Sequence, residues 1–205
     1  MMQLFLNATS PYARVARIAA LEKGFGDTLA LTWVDPWADD PALLAVNPIG
    51  RVPVLVTEAG TPLTESLLIA RHLDTLGAGP TLFPTAGSAA VLSLAGVGYG
   101  LMEAAFHTVI ARKQGGPEAD GTTLGRRRAR AIDRSLHALD LDRLAPTPSQ
   151  GGGGTLTIGL LVTAVALDYV AFRLPEIAWP ATHPALAAWH ESVIGRDSFR
   201  RTRFA

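Results

Sequence analysis

The sequence predicts an α/β unit at the N-terminus followed by an all-α helical bundle. Three observations carry this. Short β-rich runs alternate with helical periodicity in order βαβ–ββα as far as residue 76. A glycine- and proline-rich stretch, Gly77–Pro84, then interrupts the pattern. Beyond it helical periodicity persists alone. With 205 residues the chain has room for two small domains, divided as 1–77, a linker at 78–86, and 87–205.

Leu4–Leu6 reads as a short buried strand that stops at the polar Asn7–Ser10. Ser10-Pro11 opens a helix with two start signals, an N-cap hydroxyl and a proline in the first turn. Tyr12, Val15, Ile18, Ala19 and Leu21 form its apolar side, and Arg14, Arg17, Glu22 and Lys23 are expected to face water. Gly24 and Gly26 end it. Leu29–Val34 is the next strand, which makes a strand–helix–strand unit with a parallel pair. Asp35–Val46 is irregular, with a short helix at Pro41–Val46. Pro48 and Gly50 mark a turn before the strand Val54–Val56. Glu58-Ala59-Gly60 is a hairpin turn into Thr61–Leu63. Thr64-Glu65-Ser66 opens a helix to about Leu76. The second region carries helical patterns over Ala89–Lys113, Thr122–Leu144, Thr157–Phe172 and Pro184–Ile194. Gly151–Gly154 reads as a flexible loop, since it lacks the Lys-Ser/Thr of a phosphate-binding loop.

Composition narrows the functions. Lys+Arg and Asp+Glu are both 18, so no polyanionic partner such as nucleic acid is expected. The runs Arg126–Arg130 and Arg196–Arg203 read as solvated helix faces or chain ends. No cysteine is present, which excludes disulfides, thiolate metal ligands and a protein thiol nucleophile. Ala89–Met102 and Leu156–Leu167 are each shorter than the ~18–20 residues of a membrane span, so core helices are expected. No charged leader precedes Met2–Leu6, so a soluble cytoplasmic protein without membrane contact is expected.

Three motifs can carry chemistry. Ser10-Pro11-Tyr12 lies at a strand-to-helix turn, where free backbone N–H groups and the helix dipole stabilise an anion. The Ser10 hydroxyl either caps the helix or donates to a bound thiolate. Val52-Pro53 lies between a turn and a strand. A cis bond there would turn the Val52 backbone groups toward a peptide ligand, whereas a trans proline would simply start an edge strand. Glu65-Ser66 could hold an ammonium and a carboxylate together, or only cap a helix.

Taken together, the βαβ–ββα order, Asn47-Pro48-x-Gly50-Arg51-Val52-Pro53-Val54-Leu55 and Thr64-Glu65-Ser66 resemble the cytosolic glutathione transferases over essentially the whole chain. The resemblance implies a thioredoxin-like first domain, a cis bond before Pro53, and glutathione as co-substrate with no metal or nucleotide. It implies that Val52 pairs with the cysteinyl backbone of glutathione, Glu65 and Ser66 hold its γ-glutamyl end, and Arg51 lies near its glycine end. Ser10-Pro11-Tyr12-Ala13 looks like bacterial members with Ser at the catalytic turn. It is similar to the omega class too, with Ser10 in the place of that class's Cys. Leu156-Thr157-Ile158-Gly159-Leu160 looks like a conserved helix start of the family, with Leu160 where an Asp usually completes the cap.

Tyr99, Glu103, Phe106 and His107 lie at helical spacing on the first long helix. In the family that helix lines the electrophile pocket, for which Tyr12 is a further candidate; plain core or dimer contact is the alternative reading of the stripe. His107 has no second His three or four residues away, so no metal site is expected. The implied function is activation of the glutathione thiol for attack on a small apolar electrophile by a homodimer. The alternatives are a non-catalytic glutathione- or apolar-ligand-binding protein on the same scaffold and a glutathione-dependent peroxidase or lyase.

Overall fold

A computed structural model describes residues 1–139, 144 and 155–205. The Gly151–Gly154 stretch and the expected end of the Thr122–Leu144 helix fall largely outside the described residues. The chain forms two compact units, Met1–Phe83 with Ser198–Ala205, and Pro84–Asp197.

The first unit contains β1 (Gln3–Leu6), α1 (Pro11–Glu22), β2 (Ala30–Trp33), α2 (Pro41–Val46), β3 (Val54–Val56), β4 (Pro62–Thr64) and α3 (Ser66–Leu76). The sheet runs β2-β1-β3-β4. β1 and β2 are parallel, with Leu4 beside Leu31; β3 is antiparallel to both β1 and β4. The expected βαβ–ββα order is therefore present. Period-two alternation divides the strands between two cores. Phe5 and Val54 pack with Leu43 of α2. Leu4, Leu6 and Leu55 point the other way and are sealed from water on the side covered by α1 and α3.

Two polar side chains expected at the surface are inside. Lys23, at the end of α1, donates to the carbonyls of Gly79 and Pro80 at 3.3 and 3.1 Å and pairs with Asp74 at 3.2 Å. Three partners match the three donors of an ammonium, which makes its burial tolerable. Arg14 is buried beneath the C-terminal residues. Its guanidinium donates to Thr202 Oγ1 at 3.4 Å and lies 4.5 Å from the centre of the Phe204 ring. Helical periodicity reflects one helix alone and carries no trace of what a distant segment lays over its polar side. For the same reason Ser198–Ala205 pack with the first unit, although the boundary drawn at residue 87 assigned them to the helical one.

The second unit comprises α4 (Ser88–Gly115), α5 (Thr123–Ala138), α6 (Ile158–Arg173), α7 (Trp179–Thr182) and α8 (Pro184–Ile194), with α9 (Asp197–Arg200) at its boundary. No strand occurs among its described residues. α4 and α6 approach closely at two glycines. A methyl on Gly98 would lie 3.0 Å from the Thr163 nitrogen, and one on Gly159 would lie 2.7 Å from the Val91 carbonyl oxygen. With 28 residues, α4 extends well beyond the apolar stretch Ala89–Met102, and by length and hydropathy alone it could cross a membrane. Its Leu94, Ala95, Gly98, Leu101, Met102 and Ala105 are buried within the unit. Thr157 caps α6 by accepting the Leu160 N–H at 3.4 Å, so the hydroxyl half of the cap survives without the acidic half. His190 Nε2 lies 2.9 Å from Asp168 Oδ1, and the Trp179 ring stands edge-on to His190 at 5.3 Å.

Candidate functional site

Strand register brings the three motifs to one end of the sheet. Phe5 is opposite Val54, and Val54 is opposite Thr64. The C-terminal end of β1, the start of β3 and the end of β4 therefore coincide. Ser10 follows β1, Val52-Pro53 precedes β3, and Glu65-Ser66 follows β4. Helices of 12 and 11 residues, α1 and α3, begin at this same end. Two helix N-termini thus supply unpaired N–H groups and partial positive charge to one small region.

Ser10 is the N-cap of α1. Its Oγ accepts the Ala13 N–H at 3.1 Å, and its own N–H donates to Asn7 Oδ1 at 2.8 Å. Pro11 fills the first helical position, where no N–H is needed. A hydroxyl that accepts at its oxygen retains its proton as a donor. Capping and donation to an anion are therefore compatible roles, and the cap is the one the structure makes.

The Val52–Pro53 peptide is cis, as the resemblance implied. Pro53 is buried, Val52 half-buried and Arg51 exposed. Among the described residues neither the N–H nor the C=O of Val52 is hydrogen-bonded, so both can receive an extended ligand. The turn before them is held by Asn47, whose role the sequence reading did not assign. This side chain is buried; Nδ2 donates to the Arg51 carbonyl at 2.8 Å and Oδ1 accepts the Ile49 N–H at 3.1 Å. Gly50 adopts φ +68°, a conformation that glycine reaches without a Cβ clash. Asn in an Asn-Pro-x-Gly turn is the signal that could have identified this brace.

Glu65 occupies the N-cap position of α3 but makes no side-chain cap. Its φ of +65° with ψ of +116° falls outside the regions open to ordinary residues, and its side chain is exposed. Backbone strain of this kind gathers where a side chain must be aimed. Ser66 is buried and begins the helix. An exposed carboxylate and a hydroxyl at a helix N-terminus thus stand on adjacent residues, complementary to a head group carrying both an ammonium and a carboxylate.

Tyr12 is half-buried in the first turn of α1. On the second unit, Tyr99, Glu103, Phe106 and His107 form one strip along α4; Glu103 and His107 are exposed, Tyr99 and Phe106 half-buried. The Phe106 and His107 rings meet edge to face at 5.5 Å. No group of three or more His, Asp or Glu suited to a metal ion occurs among the described residues. At the opposite end of the sheet a cleft of about 730 Å³ is lined by Met2, Phe25, Leu63, His72 and Leu76. It is remote from both helix N-termini and from Val52.

Residues 9–76 match the family described as Glutathione S-transferase, N-terminal domain. A GST-like protein of Escherichia coli (strain K12), YibF, itself uncharacterized, is 31% identical over 208 residues, covering 98% of each chain. A glutathione transferase family member from Pseudomonas fluorescens Pf-5, solved with bound glutathione, is 30% identical, covers 100% of both chains and superposes with TM-score 0.89. A glutathione S-transferase from Methylobacterium radiotolerans, in complex with glutathione sulfonate, is 29% identical with TM-score 0.83, covering 100% of this chain and 95% of its own. A thioredoxin-like unit with its motifs gathered at one end of the sheet, joined to a helical unit and matched along its whole length, places this chain in the glutathione S-transferase family.

Proposed function

We propose that this protein is a glutathione transferase that binds glutathione at the Ser10–Val52–Glu65 end of the first sheet. One observation carries the reading: register alone brings a hydroxyl donor, an unpaired strand segment and an exposed carboxylate beside a helix N-terminus to one place. Each suits a different part of the tripeptide. The Glu65 carboxylate takes the γ-glutamyl ammonium, and the Ser66 hydroxyl with its helix N-terminus takes the carboxylate. The Val52 backbone pairs with the cysteinyl residue as an added strand would. Arg51, exposed on the preceding turn, meets the glycine carboxylate. The sulfur then lies at the N-terminus of α1, where the helix dipole and the Ser10 O–H favour thiolate over thiol.

The chemistry follows from that anion. A glutathione thiolate attacks an electrophilic carbon, a C–S bond forms, and the leaving group departs with the electron pair of the bond that breaks. The chain's residues supply no electrons and need no metal for this step. Candidate contacts for a small apolar electrophile are Tyr12 on the first unit and, taken by itself, the α4 strip Tyr99, Glu103, Phe106 and His107 on the second; their partial exposure and mixed aromatic and polar character support each assignment. The protein acts as a homodimer, for which the exposed Leu68 and Leu76 of α3 and Leu92 of α4 provide apolar contact. Its place is the cytoplasm, in detoxification.

Retention on immobilised glutathione and turnover of a chlorodinitrobenzene test the reading together. Retention with turnover supports it. Retention without turnover of that compound, of hydroperoxides or of aryl ethers would leave a binding protein on this scaffold. Loss of both would overturn the assignment.

A further inference from the structure

We propose, building on the glutathione reading above, that Asn47 is a positioning residue: it turns the Val52 N–H outward and holds it there for the bound peptide. Asn47 ends α2, and its own N–H donates to the Leu43 carbonyl at 2.8 Å. Leu43 is sealed in the core against Phe5 and Val54. The Asn47 side chain, on a residue 3% exposed, is thus mounted on packed structure of the first unit.

Two of its bonds shape the turn that follows. Oδ1 accepts the Ile49 N–H at 3.1 Å, and the backbone carbonyl accepts the Gly50 N–H at 2.9 Å. The third bond does something different. Nδ2 donates to the Arg51 carbonyl at 2.8 Å, and that carbonyl shares a peptide unit with the Val52 N–H. This unit is trans; the cis bond is the next one along. In a planar trans unit the C=O and the N–H point in opposite directions. Drawing the Arg51 oxygen onto the buried carboxamide therefore drives the Val52 N–H the other way, out of the turn. Among the described residues that N–H has no partner, as a donor reserved for a ligand requires.

Packing alone does little to fix the unit, since Arg51 is exposed and Val52 only half-buried. A peptide plane free to rotate would present the N–H to a ligand only part of the time, and ordering it would cost binding energy. The Nδ2 bond removes that cost in advance. The Val52 carbonyl belongs to the following unit and is not governed by this bond. Asn47 therefore acts on one half of the backbone pair, the donor to the cysteinyl carbonyl of the tripeptide.

The test uses the full chain and begins with retention of the parent on immobilised glutathione; its absence would overturn the glutathione reading itself. With a retained parent, Asn47→Asp keeps an oxygen for the Ile49 N–H and sets a second oxygen against the Arg51 carbonyl. It should raise KM for glutathione about tenfold, the worth of one hydrogen bond, with kcat at saturating glutathione within about twofold of the parent. Asn47→Ala removes the donor without burying a charge and should show the same split. The discriminating ligand is a glutathione analogue with a trans-alkene in place of the Cys–Gly peptide bond, which lacks the carbonyl that the Val52 N–H would reach. It should bind the parent more weakly than glutathione does, and neither substitution should weaken it further. A side chain that only maintained the turn would weaken both ligands alike. Should neither variant fold, amide spectra of the isotope-labelled parent decide, with the Val52 amide proton moving downfield as glutathione is added. Equal losses for the two ligands, an unaltered KM in a folded variant, or a Val52 amide left unmoved by bound glutathione would each overturn the proposal.

Discussion

Lys23 and Asp74 stand 3.2 Å apart with both side chains almost fully withdrawn from water. The pair ties the end of α1 to α3, and its remaining bonds hold the segment that leaves the first unit: Lys23 donates to Gly79 and Pro80, and Asp74 accepts from Thr81 Oγ1 at 2.6 Å and the Leu82 N–H at 2.8 Å. Burial alone would raise the Asp74 pKa. The Thr81 and Leu82 hydrogen bonds and the Lys23 ammonium outweigh it, and the net shift is downward. A carboxylate depressed in the folded state adds stability at any pH above its unfolded value, near 4, and that contribution disappears as pH falls through the lower folded value. Asp74→Asn should cost about 3–5 kcal/mol at neutral pH by leaving Lys23 unpaired. It should also flatten the acid limb of a melting-temperature profile between about pH 5 and pH 2. An acid limb as steep as that of the parent would separate this pair from the acid sensitivity.

Phe199 gives the second prediction. It is fully buried, and its carbonyl receives the Arg14 guanidinium at 3.5 Å. Phe199→Ala should therefore destabilise the first unit by about 3–5 kcal/mol, as a cavity opens beside a buried cation. Denaturant unfolding measures it. A loss below about 1 kcal/mol would mean that the C-terminal residues contribute little to that unit.

The fold and the site differ in how legible they were. The βαβ–ββα order of elements along the chain, the α1 start at Ser10-Pro11 and the hairpin at Glu58–Gly60 follow from local chemistry, and local chemistry is what a sequence displays. The placement of Ser10, Val52 and Glu65 became readable only through a resemblance, because each motif alone is equally consistent with an ordinary cap or edge strand. The buried states of Arg14 and Lys23 were not legible. They depend on Thr202, Phe204, Gly79 and Pro80, partners far along the chain that no helical period reveals. The positive-φ geometry of Glu65 was hidden for a related reason: Thr-Glu-Ser looks like a favourable cap, and only the structure reveals that the glutamate does not serve as one.

Glu65 carries the third prediction. Its carboxylate is exposed and makes no cap, so Glu65→Gln should leave the melting temperature nearly unchanged. Retention on immobilised glutathione should disappear, since an ammonium desolvated without its partner costs about 2–5 kcal/mol. Glu65→Gly should likewise abolish retention, yet raise stability by about 1 kcal/mol by relieving the positive φ. The opposite signs on binding and stability are the signature of a residue held in strain for function. Normal retention by the glutamine variant would remove Glu65 from the site.

Ser10 requires the most discriminating experiment, because one hydroxyl serves two ends. Its oxygen accepts the Ala13 N–H at 3.1 Å, while its proton is directed by whatever acceptor occupies the helix terminus. Ser10→Ala removes both functions. The cap is worth about 1 kcal/mol of stability, and that loss is expected whatever the catalytic role. Thermal melts therefore cannot decide the question. The pH–rate profile can. If the O–H donates to the glutathione sulfur, the thiol of the bound tripeptide in Ser10→Ala should ionise at higher pH, and efficiency at neutral pH should fall roughly ten- to a thousandfold. Glutathione affinity should change little, since the proposed anchors of the tripeptide are Val52, Glu65 and Ser66. Ser10→Thr retains both oxygen and proton, and should restore the profile along with the cap. Ser10→Asp keeps a capping oxygen but has no proton to give at neutral pH and adds a negative charge beside the sulfur. It should hold the melting temperature near that of the parent while shifting thiol ionisation further upward than alanine does. Thiolate absorbance recorded alongside turnover separates the two roles. An unshifted profile in both Ser10→Ala and Ser10→Asp would transfer the stabilisation to the backbone N–H groups of α1 or to the neighbouring Thr9 hydroxyl, and leave Ser10 as a cap alone.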